Sequence, residues 1–189
     1  MTGMTGISRR RFLAVLSGAF VWHLVRLDAA SKGPALIMLM RHGEDIGENS
    51  YHLSPEGQKP AQALPKLFGS RLPTPDVIIA THASKGSNRP IETVEPLARE
   101  LHLEIDNRFR DDDYALLARA LMTDPRYEGK TVLVCWHHGK MDNLVKALGI
   151  KGAPRWPDMQ FDHVWVIDFK KNGKPRLEDV HQQLLPGDK

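Results

Sequence analysis

Three short and almost entirely apolar runs constrain the fold of this chain more than any other feature. They cover residues 35–40, 76–80 and 131–136, and each has the length of a strand. A run without polar alternation is typical of a strand covered on both faces, as in a parallel sheet. The pattern therefore predicts an α/β fold, a three-layer α/β/α sandwich with a mainly parallel sheet.

The layers that cover the sheet are predicted to be helices. Apolar residues recur at helical spacing over residues 54–68, 90–101, 114–122 and 141–148. Ser54 is the predicted cap of the first helix and Asp113 of the third, while Pro65 is expected to kink or break the first helix. Two further strands, 164–169 and 176–184, are predicted to form a closing hairpin through a turn at Asn172-Gly173, which adds an antiparallel edge.

The N-terminal residues have the pattern of an export signal. Consecutive arginines at 9–11 precede an apolar stretch over 13–25, and small residues follow at 29–31. This pattern resembles a twin-arginine signal, so residues 1–32 are predicted to engage the twin-arginine translocation machinery and to direct the protein to the periplasm. An uncleaved anchor or an ordinary amphipathic helix is the alternative. After cleavage no membrane association is expected.

Composition limits the classes of protein to which the chain can belong. The chain has 189 residues, of which 41% are hydrophobic and 26% charged, so residues 33–189 are predicted to form one globular domain. The net charge of +3 comes without a basic run flanked by aromatic residues, which argues against nucleic acid as a partner. The single cysteine, Cys135, forms no internal disulfide or CxxC pair and is predicted to lie in the core.

Cationic and imidazole side chains follow all three apolar runs. Arg41 and His42 come after the first, Arg89 comes shortly after the second, and His137 and His138 come after the third. Because ligands bind beyond the carboxyl ends of parallel strands, we expect these groups to meet in one site. Guanidinium groups pair with phosphate oxygens, and the amides of the helix that begins near Gly139 can add donors, so a phosphoryl group fits.

A reaction scheme follows from these residue types. A neutral His42 can attack phosphorus in line, while Arg41, Arg89 and His138 stabilise the charge on the transferring oxygens. Water then releases phosphate. The scheme requires no metal and no cofactor.

Four motifs in register resemble the histidine phosphatase superfamily, the phosphoglycerate mutase-like group, in its short phosphatase-type branch. They read RHGE at 41–44, LSPEGQ at 53–58, RPIET at 89–93 and VLVCWHHG at 132–139. The resemblance implies a phosphoglycerate mutase-like fold, His42 as the phosphorylated nucleophile, and Arg41 and Arg89 as phosphate ligands. It also implies that His138, which precedes glycine, is the second pocket histidine, whereas His137 is a neighbour of the site.

The proton donor is the point at which this sequence departs from the family. Members usually have a glutamate between the second arginine and the second histidine, whereas here that region reads RFRDDDY at 108–114. Asp113 is the first candidate acid and Asp112 the second. The alternatives are that these residues are only helix caps and solvated charges, or that the acid is absent because the leaving group is good.

The spacing favours a phosphatase over a mutase. From Arg89 to His138 is 49 positions (138 − 89), which leaves little room for a helical insertion that encloses the substrate. A phosphorylated small molecule or a phosphoprotein is therefore the expected substrate, with residues 154–161 either walling the pocket or packing on the sheet. The alternatives are an idle phosphate-binding relative, a phosphoglycerate mutase-type phosphotransferase, and a periplasmic metal binder motivated by nine histidines.

Overall fold

A computed structural model describes residues 33–45, 50–169 and 175–186 of the chain. The predicted export signal and the Asn172-Gly173 turn lie outside the described residues. Within the described part, the strands and helices run in the order β1 (Leu36–Arg41), α1 (Pro55–Ala63), β2 (Val77–Ala80), α2 (Arg89–Leu101), β3 (Ile105–Asp106), α3 (Tyr114–Thr123), β4 (Thr131–Trp136), α4 (His138–Ala147), β5 (His163–Phe169) and β6 (Pro175–His181). Short 3-10 turns cover Leu64–Leu67, Asp111–Asp113 and Pro125–Tyr127.

The strands form one mixed sheet in the order β3-β2-β4-β1-β5-β6. The pairs β3/β2, β2/β4 and β4/β1 are parallel, whereas β5 runs antiparallel to both β1 and β6. The three apolar runs of the sequence are β1, β2 and β4, which lie side by side at the centre. The predicted mainly parallel sheet with an antiparallel edge is confirmed.

Side chains of each central strand alternate between two cores. From β1, Ile37 and Leu39 pack with α3 and α4 on one face, while Met38 and Met40 pack with α2 and the 3-10 turn Leu64–Leu67 on the other. Cys135 is fully buried in the second core, as predicted, and burial raises the pKa of its thiol. Helices therefore cover both faces of the sheet, which makes the three layers of the predicted sandwich.

The first predicted helix ends where proline was expected to break it. Helix α1 tolerates Pro60 in its interior, but a 3-10 turn begins at Leu64 and contains Pro65. The predicted cap of this helix is confirmed, since Ser54 Oγ accepts a hydrogen bond from Gly57 N at 2.9 Å. Asp113 precedes α3 as predicted, but its side chain forms no capping hydrogen bond with that helix.

Two further boundaries differ from the prediction by three residues, and one strand was not predicted. Helix α4 begins at His138, three residues before the expected Met141, because His137 takes the extended backbone of a cap. Strand β6 ends at His181 rather than at residue 184, and Gln183 has a left-handed φ of 49°. Strand β3 was not predicted, since its two residues are too few for a periodic pattern.

The described helices are all too short or too polar to cross a membrane.

Candidate active site

A cavity of about 890 Å³ lies at the carboxyl ends of the central parallel strands. Its walls include the predicted phosphate pocket residues Arg41, His42, Arg89, His138 and Gly139. The topology explains this meeting, because β1 and β4 are adjacent and parallel and β2 pairs with the other side of β4. The loops that follow the three strands thus open at one edge of the sheet.

His42 is held as a neutral imidazole with a defined tautomer. Its side chain is buried, and burial lowers the pKa of the ring to about 3, with smaller contributions from His137 and the two arginines. Nδ1 lies 2.7 Å from the carbonyl oxygen of Gly43. Because a carbonyl only accepts, Nδ1 carries the proton, which leaves the lone pair on Nε2.

The backbone after His42 is fixed by α1 and α2. Gly43 N donates to Thr93 Oγ1 at 2.8 Å, and that hydroxyl donates to the Arg89 carbonyl, also at 2.8 Å. On the other side, a Cβ added to Gly57 would overlap the backbone oxygen of Glu44. The glycine of the LSPEGQ motif thus allows α1 to pack directly against the loop that follows His42.

Arg41 is the last residue of β1 and is 5% exposed. Its guanidinium lies 3.7 Å from the centroid of the Phe161 ring and donates through Nη1 to the carbonyl oxygen of Asp158. Burial, partly offset by the nearby Asp45 carboxylate and reinforced by Arg89, lowers the pKa of Arg41 to about 10, so the group stays cationic at neutral pH. Its hydrogen bond to a neutral carbonyl leaves other N–H groups of the guanidinium for an anion.

Arg89, the first residue of α2, is the second buried guanidinium. Nε donates to Ser87 Oγ at 3.2 Å, and Nη1 forms an ion pair with Asp45 Oδ2 at 2.5 Å. A guanidinium has five N–H donors, so these contacts leave donors for a ligand. Asp45 was not predicted from the sequence as part of the site, although it lies three residues after His42.

The two adjacent histidines after β4 both line the cavity. The ring of His137 meets the ring of His42 edge-on at a centroid distance of 5.1 Å, and burial lowers its pKa to about 4. Burial also lowers the pKa of His138, whose Nε2 lies 3.7 Å from Asp158 Oδ1. His137 is therefore in direct contact with His42, as expected of a neighbour of the site, and Gly139 follows at the start of α4.

Of the three aspartates at 111–113, it is Asp111 that lines the cavity. The wall also includes Glu44, Asp45 and Asp158 from other segments. Burial, partly offset by Lys140, raises the pKa of the Asp111 carboxyl to about 6. Asp113, the first candidate from the sequence, does not line the cavity: its Oδ2 accepts a hydrogen bond from Arg110 N at 2.9 Å. Asp112 is 84% exposed at its side chain and pairs with Lys140 at 2.7 Å.

Unpartnered polar atoms converge on the same cavity. Among the described residues, the buried side-chain nitrogens and oxygens without a hydrogen-bond partner are Arg41 Nε, Asp111 Oδ1 and His138 Nδ1. All three residues line the cavity. Since buried polar groups are nearly always satisfied, such a cluster indicates a site for a polar ligand or water.

Residues 154–161 both line the cavity and pack on the sheet, the two roles that the sequence left as alternatives. Asp158, Met159 and Phe161 line the cavity, which confirms the predicted wall. Trp156 is buried in the core against Trp165, at a ring centroid distance of 4.7 Å. The buried tryptophan therefore anchors the wall to the sheet.

Similarity to solved structures supports the fold. No family model and no curated protein matches the sequence. Among solved structures, the chain is similar to the protein histidine phosphatase SixA complexed with tungstate, with a TM-score of 0.55 and 15% identity over 78% of this chain and 97% of that one. It is also similar to phosphoglycerate mutase from Bacillus anthracis str. Sterne, with a TM-score of 0.52 and 15% identity over 79% and 94% of the two chains. The chain therefore shares the phosphoglycerate mutase-like fold with a histidine phosphatase and a mutase.

Proposed function

We propose that this protein hydrolyses phosphomonoesters or phosphoproteins through a phosphohistidine intermediate on His42. The observation that supports this most is the neutral, tautomerically fixed imidazole of His42 in a cavity shared with two buried guanidinium groups. A neutral imidazole is a nucleophile, and the guanidinium groups match the charge and geometry of phosphoryl oxygens. The reaction uses groups of this chain alone.

In the first step, Nε2 of His42 forms a bond to phosphorus as the bond from phosphorus to the leaving oxygen breaks. Arg41, Arg89 and His138 donate to the phosphoryl oxygens as their charge changes. The leaving oxygen takes a proton from Asp111, whose raised pKa keeps part of the carboxyl protonated near neutral pH. The products are phosphohistidine and the free alcohol.

In the second step, water attacks the phosphohistidine and the bond from phosphorus to Nε2 breaks. The Asp111 carboxylate, now ionised, accepts the proton of the attacking water. Orthophosphate leaves and neutral His42 is restored. One carboxyl therefore acts as acid and then as base, which completes the cycle without a second protein group.

The walls of the cavity favour a substrate larger than a sugar acid. Between Arg89 and His138 the described elements are α2, the short β3, α3, two 3-10 turns and β4, without an added helical lid. Met159 is 86% exposed at the cavity wall, where it can contact a protein or peptide. The similar structure is of a protein histidine phosphatase, and a phosphoprotein is accordingly our preferred substrate class.

Labelling tests the intermediate. We expect a small phosphodonor labelled with ³²P to yield acid-labile, base-stable labelled protein, and His42→Gln to abolish both label and turnover. His102→Asn is the matched control, because His102 is an exposed histidine with left-handed φ, a conformation that asparagine tolerates. Turnover that persists in His42→Gln would exclude the mechanism.

The same assay separates the alternatives. Label that accumulates without release of orthophosphate supports a binding or transfer protein. Label that moves to an added phosphate acceptor rather than to water supports a mutase-type phosphotransferase. Release of orthophosphate at the rate of label turnover supports the phosphatase.

We also infer that residues 1–32 export the protein by the twin-arginine route. The support is the sequence pattern alone: arginines at 9–11, an apolar stretch and small residues at 29–31. A fusion of residues 1–34 to a reporter should reach the periplasm, and replacement of arginines 9–11 by lysine should retain it in the cytoplasm. Export of the lysine variant would refute the assignment.

A further inference from the structure

Two histidines and an aspartate meet at the open end of the β5–β6 hairpin. His163 is the first residue of β5 and His181 the last of β6, and they are direct partners across the antiparallel pair. Their rings lie 3.7 Å apart between centroids. With Asp162, which precedes His163, they place one potential ligand atom each within 4.8 Å of the others. None of the three lines the phosphate cavity.

The orientation of His163 is suited to metal binding. Its Nδ1 lies 2.7 Å from Asp179 Oδ1, and its Nε2 lies 3.7 Å from Asp162 Oδ1. A histidine that binds a metal through one nitrogen commonly donates its other N–H to a carboxylate. Ligand atoms around a tetrahedral Zn²⁺ lie about 3.4 Å apart, as follows from bonds of about 2.0–2.1 Å. Small side-chain adjustments therefore bring His163 Nε2 and Asp162 Oδ1 to the separation of two ligand atoms on one ion.

The backbone that presents these side chains is already fixed. Gln182, which is 3% exposed, donates through N to the Asp162 carbonyl at 2.7 Å and through Nε2 to the His163 carbonyl at 3.1 Å. Arg71 Nη2 donates to the His181 carbonyl at 3.0 Å. Binding an ion thus requires ordering of side chains but not of the chain, which lowers the entropic cost.

We propose that Asp162, His163 and His181 bind a divalent transition-metal ion, with Asp179 orienting His163. Two imidazoles and a carboxylate suit Zn²⁺ and its first-row neighbours, whereas Mg²⁺ and Ca²⁺ prefer oxygen ligands. The carboxylates of Asp162 and Asp179 offset the charge of the ion, and the Arg71 guanidinium is engaged by backbone carbonyls. Because His181 is exposed, a fourth position is open to water. The site is separate from the His137-His138 pair and independent of the proposed phosphatase reaction.

Calorimetric titration of the full chain, untagged and freed of metal by chelation, tests the proposal with Zn²⁺ as the probe. We expect one equivalent to bind to the wild type and excess Mg²⁺ not to compete. His181→Ala removes an exposed ligand without disturbing the core and should weaken Zn²⁺ binding at least tenfold. Asp179→Asn should weaken it about 10-fold to 100-fold, the usual effect of losing the partner of a ligating histidine. His102→Asn, which removes an exposed histidine elsewhere, should leave the affinity unchanged.

Thermal unfolding provides a second readout. Zn²⁺ should raise the Tm of the wild type and of His102→Asn, because an ion that binds only the folded state stabilises it by mass action. It should not raise the Tm of His181→Ala. Unchanged Zn²⁺ affinity in His181→Ala, or a wild type that binds no Zn²⁺ even at millimolar concentration, would overturn the proposal and identify the cluster as an ion-pair network only.

Discussion

Replacement of Asp111 by asparagine tests the proposed acid without changing the shape of the side chain. The carboxyl lines the cavity, and burial raises its pKa to about 6. Loss of a general acid typically lowers the rate by about two to four orders of magnitude when the leaving oxygen needs a proton. We therefore expect Asp111→Asn to reduce kcat/KM for an alkyl phosphate by about 100-fold or more. For a nitrophenyl phosphate, whose leaving group departs as an anion, the loss should be small.

The pH dependence follows from the same carboxyl. With a pKa of about 6, roughly nine tenths of Asp111 is protonated at pH 5 and roughly one tenth at pH 7. The proposed nucleophile His42 does not titrate in this window, since its pKa is about 3. The ratio of wild-type to variant kcat/KM for an alkyl phosphate should therefore fall about tenfold from pH 5 to pH 7. Ionisation of the substrate itself cancels in this ratio.

Steady-state kinetics on the two substrates, with release of orthophosphate as the signal, measure both effects. Asp112→Asn and Asp113→Asn are the controls, because these carboxylates contact Lys140 and the Arg110 amide outside the cavity. An equal effect of Asp111→Asn on both substrates, or a selective loss in Asp112→Asn or Asp113→Asn, would refute the role of Asp111 as the acid.

Three further predictions concern the surroundings of the nucleophile. Arg89→Lys loses paired donors and should weaken inhibition by orthophosphate about 10-fold to 100-fold in a competition assay, whereas an unchanged inhibition constant would exclude Arg89 from the phosphate site. Gly57→Ala places a Cβ on the backbone of Glu44 and should destabilise the fold by about 1–3 kcal/mol in denaturant titration, while Gly86→Ala, with no close neighbour, should not. Because His42 is buried as a neutral imidazole, the protein should be less stable in acid. The pKa of His42 is about 3 in the folded state and lies below the unfolded value. The free energy of unfolding should therefore fall as pH drops below about 6.5, by about 2 kcal/mol at pH 5. Stability of His42→Gln should fall less over the same pH range, and an equal fall would contradict the assignment.

The sequence predicts the central strands well because a strand that is buried on both faces consists of a continuous apolar run. Strands β1, β2 and β4 lie within about one residue of their apolar runs, and their side chains are buried on both faces. Strand β3 has only two residues, so its pairing with β2 is determined by tertiary contact rather than by a local pattern. The start of α4 at His138 was missed for a related reason, since polar residues at a helix start do not show apolar spacing.

The cationic half of the candidate site could also be predicted from the sequence, whereas the proposed acid could not. Arg41 ends β1, His42 follows it and His138 follows β4, so the parallel topology alone brings them together. Asp111, Asp112 and Asp113 form one 3-10 turn, in which successive side chains point about 120° apart. Only the direction of that turn relative to the cavity selects Asp111, and three identical residues contain no local signal for it.

The polar groups whose burial is costly are concentrated at this one cavity. The described buried side-chain atoms without a hydrogen-bond partner belong to Arg41, Asp111 and His138, and the imidazoles of His42 and His137 are held neutral by burial. Apolar replacements would relieve these costs, so their concentration in one place is typical of a functional site rather than of a structural core. Each cost also has a use in the proposed reaction, because a neutral imidazole attacks, unpaired N–H groups bind phosphoryl oxygens, and a carboxyl with a raised pKa donates a proton. Desolvation of the side chains at the strand ends therefore both destabilises the folded protein and prepares these groups for the proposed reaction.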